Sequence, residues 1–130
     1  MTVFNLKLQR GAPIFEQVVF ASIGAILRGE YEVGQPFPSV RTIASDLKIH
    51  PNTVHKVIQL LIEERWLEVR PGIGTAVASR PKARSVDGRR LLRSDVDRLV
   101  AKAQRIDVGL QDVMDELTKQ WSKLEHSQED

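Results

Sequence analysis

Residues 49–56 read IHPNTVHK. Two histidines, a proline, an asparagine, a threonine and a lysine stand at the mouth of an apolar repeat. That repeat, Val54, Val57, Ile58 and Leu61, has the spacing of one helix face. Three readings suit these residues: a metal site, a helix broken by proline, or a helix end that touches a partner. On a helix, His50 and His55 are separated by about 500° of turn and so point roughly 140° apart. They do not converge on one ion. His126 stands in a polar tail. No metal and no cofactor is expected.

The proline reads as a start signal. Pro51 at the first helical position lacks an N–H that would be unpaired there anyway. His50 is then just outside, and Asn52, Thr53, His55 and Lys56 fill the first turn and a half. The helix's N-terminal N–H groups and its dipole favour an anion such as a phosphate. Asn can pair with an adenine edge in two places, and Thr and His can donate to bases or touch them. The plainer reading is that Asn52 and Thr53 satisfy the helix end. It loses ground because the polar residues cluster where a recognition helix would meet a groove.

Two further places are candidates. Arg41 follows Ser39, which reads as an N-cap of the preceding helix. A cation near a helix N-terminus is mildly unfavourable, and a phosphate or guanine would offset that; a surface arginine with no role is the alternative. Farther on, Gly72 allows close backbone approach to a phosphate, with Arg70 adding charge beside it.

The elements that position these residues follow from the pattern. Phe4, Leu6 and Leu8 alternate with polar residues and predict a short strand. Pro13 starts a helix with the stripe Ile14, Val18, Ala21, Ala25 and Ile26/Leu27, and Gly29 ends it. YEVGQPFP is a loop. A helix over 40–47 turns inward Val40, Ile43, Ala44 and Leu47, and a short turn leads to the helix over 51–64. WLEVR and GTAVAS then form a hairpin around Pro71-Gly72-Ile73-Gly74. The fold class is mainly α with a small β wing: a winged helix-turn-helix over 1–79. Residues 80–90 form a basic linker, and 91–130 a two-helix region.

The 130 residues are 42% hydrophobic and 28% charged, which suits a globular chain rather than a disordered one. Cysteine is absent, which excludes thiolate chemistry and disulfides. GIGT lacks the consecutive Lys-Ser/Thr pair of a phosphate loop and runs from strand to strand. No catalytic set can be assigned, so no enzyme is expected. MTVFNLKLQRGAP lacks the apolar core of a signal peptide, and a cytoplasmic chain is expected.

Net charge is only +2, but it is unevenly spread. Residues 80–105 hold nine Lys/Arg against three Asp, and residues 106–130 hold two Lys against seven Asp/Glu. A basic middle suggests a polyanion partner; an ordinary solvated face is the alternative. Beyond the linker, Leu92, Val96 and Leu99 lie on one amphipathic stripe, and Leu110, Met114, Leu117, Trp121 and Leu124 on another. Two such helices cannot enclose a core alone. A homodimer that buries four stripes is the economical solution, and folding back on the first domain the alternative.

PIFEQVVFASIGAILRGEYEVGQPFPSVRTIASDLKIHPNTVHKVIQLLIEERWLEVRPGIGTAV resembles the N-terminal winged-helix domain of GntR-type bacterial transcription regulators. The likeness covers Pro13 to Val77, and PSVR (38–41), NTV (52–54) and GIGT (72–75) carry it. The short helical C-terminal part resembles the YtrA subfamily, where it serves dimerisation. The resemblance implies DNA contact by Ser39, Arg41, His50, Pro51, Asn52, Thr53, His55, Lys56 and the wing at Gly72. Lys48 and Arg65 stand where the family usually has glycine, His55 where Ser or Arg is commoner, and Ile73 where the wing tip is often basic.

The expectation is a homodimeric, sequence-specific DNA-binding repressor on a pseudo-palindromic operator. A small-molecule effector is left open. The alternative is a helical module that regulates through a protein partner, with Trp121 and Met114 marking that interface.

Overall fold

The computed structural model of the chain describes residues 3–80 and 85–125. Residues 81–84 of the expected linker and 126–130 of the expected C-terminal region, His126 among them, lie outside the described residues. The chain divides into two units: residues up to Arg80 group with Leu124 and Glu125, and the described residues 85–123 form the other.

The first unit is built around the helix that IHPNTVHK begins. Three helices, α1 (Ile14–Leu27), α2 (Val40–Leu47) and α3 (Pro51–Glu63), precede strands β1 (Leu67–Arg70) and β2 (Gly74–Val77). Val54, Val57, Ile58 and Leu61 of α3 are all buried, and meet Val18, Ala25 and Ile26 of α1 and Ile43, Ala44 and Leu47 of α2 in one core. The stripe predicted for α3 is therefore the face that anchors it. α1 is apolar nearly all round, and its buried Ser22 hydroxyl donates to the Val18 carbonyl at 2.7 Å. Ile14, expected inward, is instead 44% exposed at the first turn. Pro13 sits one place outside the helix in extended conformation.

Left-handed residues end both helices of the helix-turn-helix. Lys48 (φ 56°, ψ 47°) closes α2, and its N–H donates to Ala44. Arg65 (φ 65°) follows α3, where the Trp66 N–H reaches back to the Leu61 carbonyl at 2.8 Å. Both positions keep the left-handed geometry that glycine adopts freely, at a cost of roughly 1 kcal/mol each.

β1 and β2 pair antiparallel, Leu67 opposite Val77 and Arg70 opposite Gly74. The loop before α2 joins the outer edge of β2. Phe37 donates to Thr75, Val77 to Gln35 and Gly34 to Val77, with Pro36 bridged to Ala76. The predicted N-terminal strand does not form. Phe4, Leu6 and Leu8 do alternate in burial with exposed Asn5 and Lys7. With no strand to pair with, the segment makes a single 3₁₀ turn, Val3–Asn5, with Phe4 and Asn5 left-handed. Phe4 stacks on Phe37 and meets Tyr31 edge-on, with ring centroids 5.4 and 6.0 Å apart. Burial, and then the charge of Glu30, raises the Tyr31 phenol above its usual range. The Val3 N–H donates to the Asp46 carboxylate, and Gln17 pins the arm through Gln9 and Ala12.

The second unit is a pair of helices, α4 (Ser85–Arg105) and α5 (Leu110–Glu125). α4 begins inside the stretch expected to be linker. One glycine costs about 1 kcal/mol in a helix, and Gly88 is followed at once by the good helix formers Arg89, Arg90, Leu91 and Leu92. The turn between the helices depends on Asp107 (φ 60°) rather than on Gly109, and the Val108 N–H closes on the Ala103 carbonyl at 2.9 Å. Aspartate tolerates that conformation better than most residues. No helix among the described residues is long and apolar enough to cross a membrane.

Candidate nucleic-acid interface

The start of α3 is held by its own preceding residue. His50 is the N-cap, and its Nδ1 accepts the Asn52 N–H at 3.0 Å. The His50 carbonyl accepts from Thr53 at 3.0 Å and from Val54 at 3.4 Å. Pro51 has no N–H to offer. Every donor of the first turn is thus absent or engaged, which corrects one expectation from the sequence. The N–H groups of α3 do not form an anion cradle; only the field of the dipole and the side chains are left to meet a partner.

The side chains do face outward. Pro51, Asn52, His55 and Lys56 are exposed and Thr53 is half-buried, opposite the buried Val54, Val57, Ile58 and Leu61. Asn52, His55 and Lys56 fall at spacings of three and four, so they share one face. Gln59, seven residues after Asn52 and exposed, continues that face. It was absent from the sequence candidates although its spacing marks it.

At α2 the arrangement differs. The Ser39 hydroxyl accepts the Thr42 N–H at 3.1 Å and donates to the Thr42 hydroxyl at 3.0 Å, a capped end as expected. The Val40 and Arg41 N–H groups have no partner among the described residues. Arg41 is exposed at the same helix start, where unpaired N–H groups favour an anion.

The wing carries less free charge than its sequence suggests. Both Nε and Nη2 of Arg70 bind one Glu68 carboxylate oxygen, at 2.7 and 2.6 Å. Arg70 must give up part of that pair to reach a phosphate. Gly72 (φ 79°) lies at the turn with nothing within 4 Å of where a Cβ would stand. Its backbone conformation, not crowding, is what asks for glycine there.

Over 110 residues the chain is 30% identical to the HTH-type transcriptional repressor YtrA of Bacillus subtilis, a match spanning 84% of this chain and 85% of that protein. The model of the bacterial regulatory proteins of the gntR family matches residues 17–77. The chain belongs to the gntR family. It is YtrA-like over most of its length.

The gntR-family chain also resembles YtrA from Sulfolobus acidocaldarius, a GntR-family transcription factor. The identity is 28% and the TM-score 0.59, covering 77% of this chain and 99% of that one. A transcriptional antiterminator from Listeria monocytogenes shares the fold (TM-score 0.69, 23% identity, 97% and 95% covered). This gntR-family member is a DNA-binding transcriptional regulator with a winged helix-turn-helix, and its family is one of regulators rather than enzymes.

A second surface belongs to α4 and α5. Leu92, Val96, Leu99, Leu110, Met114, Leu117 and Trp121 are all exposed, and Leu124 is half-buried. A groove of about 410 Å³ opens between the two helices, floored by Leu99, Ala103, Ile106, Val113 and Leu117.

Proposed function

We propose that the chain is a homodimeric repressor that recognises a pseudo-palindromic operator through α3. The exposed polar face at the start of α3, backed by a fully apolar opposite face, carries the reading. Asn52, Thr53, His55 and Lys56 would meet the major groove, with His50 and Pro51 at its edge. Ser39 and Arg41 would hold a backbone phosphate at the start of α2. The Gly72 turn and Arg70 would lie near the adjacent minor groove.

The dimer reading rests on exposed apolar area. Burying a large apolar side chain is worth about 1.5–3 kcal/mol, and several large apolar side chains exposed along two neighbouring helices mark an interaction surface. A second copy covers both stripes by symmetry. The repressor sense follows the role of the Bacillus subtilis relative, a transcriptional repressor. Residues 1–79 would then be the reading domain and 91–130 the pairing region, joined by the basic stretch between them.

Gel shifts on duplexes selected from a random pool, with light scattering on the same samples, test this. Dimers that select an inverted repeat, with half-sites about one helical turn apart or a modest variation on it, support it. Monomers with no sequence preference would favour regulation through a protein partner instead.

A further inference from the structure

His50 caps α3 in an uncommon manner. An N-cap acceptor is ordinarily a hydroxyl, carboxamide or carboxylate oxygen. Here it is an imidazole nitrogen, Nδ1, 3.0 Å from the Asn52 nitrogen, with His50 in extended conformation (φ −65°, ψ 135°). A backbone N–H can only donate. Nδ1 must therefore carry its lone pair and no proton. A neutral imidazole has one N–H, so the proton sits on Nε2. The residue is exposed, and no hydrogen bond or ion pair engages Nε2 among the described residues.

We infer that His50 is a specificity-determining residue of fixed sense: its Nε2–H donates to a major-groove acceptor and discriminates against cytosine. The acceptors available are guanine O6 and N7, adenine N7 and thymine O4; cytosine presents only its N4 amino donor. The inference rests on the proposed entry of the α3 start into a major groove.

The cap does two things at once. It sets the tautomer, and it ties the ring to the helix before DNA arrives, so less side-chain freedom is lost on binding. His55 provides an internal contrast. It is exposed on the same helix, and no bond among the described residues fixes either of its ring nitrogens. His55 is free to present a donor or an acceptor, and His50 only a donor. Capping and reading can be separated, because serine also caps a helix but its side chain is too short to replace the ring.

Two measurements on the full chain test this. Nitrogen NMR of the free protein at pH ~8, where an ordinary imidazole is neutral, is expected to show His50 with Nδ1 bare and Nε2 protonated. Selection from a random duplex pool is then run with the native chain and with His50→Ser. The native chain is expected to disfavour cytosine roughly 10-fold at one position per half-site. His50→Ser should keep the thermal midpoint and the consensus elsewhere but accept all four bases there.

A proton on Nδ1, or an unchanged consensus in His50→Ser, overturns the inference. So does a uniform loss of affinity with unchanged preferences, which would make His50 a phosphate contact. A native chain that selects no sequence at all overturns the proposed function and takes this inference with it.

Discussion

Leu61 in α3 is fully buried, whereas Leu110 in α5 is 74% exposed, although both lie on apolar helix faces of similar spacing. The first unit closes because its elements differ in direction and kind. Three helices, a hairpin and an aromatic arm surround one another, so α3 spends its apolar face inward and keeps its polar face for a partner. The second unit has two helices only. Ala103 is buried at the turn, while Val96, Met114 and Trp121 stay half or more exposed. One unit has finished its folding and offers a polar surface; the other offers an apolar one that asks for completion.

That contrast can be broken at several points. The largest effect is expected from Leu61→Ala, which should cost about 2–5 kcal/mol in thermal or urea unfolding, because a well-surrounded site cannot collapse around the missing atoms. An equivalent truncation at Leu110 should change the stability of a dilute monomer by no more than about 0.5 kcal/mol. Equal losses at both would show that the two units share one core.

Trp121→Asp comes next. It is expected to convert the proposed dimer to a monomer in light scattering and to weaken binding to an inverted repeat by roughly 100-fold, the effective-concentration gain of linked half-sites. Affinity for a single half-site should hold. A variant that stays dimeric would move the pairing surface elsewhere.

Arg41→Ala should weaken operator binding by about 1–3 kcal/mol if the guanidinium reads a base, and should flatten the salt dependence if it holds phosphate. Unchanged titrations at two salt concentrations would remove Arg41 from the interface. The smallest effect is expected at the turn between α2 and α3. Lys48→Gly should stabilise the first unit by about 0.5–1 kcal/mol, since it relieves a left-handed lysine, with DNA affinity unaltered. A fall in melting temperature would mean that the lysine side chain contributes more than its backbone costs.

Much of the reading unit was legible residue by residue. Ser39 and Pro51 announce helix starts because capping and the missing proline N–H are local effects. The α3 stripe is legible because burial follows a period of 3.6 residues. Lys48 and Arg65 were marked only by the resemblance, as residues where the family usually has glycine, and the structure finds both left-handed. One miss is non-local. The alternation of Phe4, Leu6 and Leu8 is a true burial pattern, but a strand also needs a pairing partner, and the segment packs instead through Phe4 on Phe37 and Tyr31. Arg70 is a different, local miss: Glu68 is only two residues away, but the pair forms through side-chain torsions that spacing alone does not state.

The amino-acid order by itself determined the helices, the hairpin, the buried faces and the outward set Asn52, His55 and Lys56, because each depends on neighbours within a turn or two. Only the tertiary structure decided which donors at those helix ends are still available. His50 consumes the first-turn N–H groups of α3, while the α2 start keeps those of Val40 and Arg41. A hydrogen bond excludes its competitors by geometry of a few tenths of an ångström, and spacing along a chain carries no information at that scale.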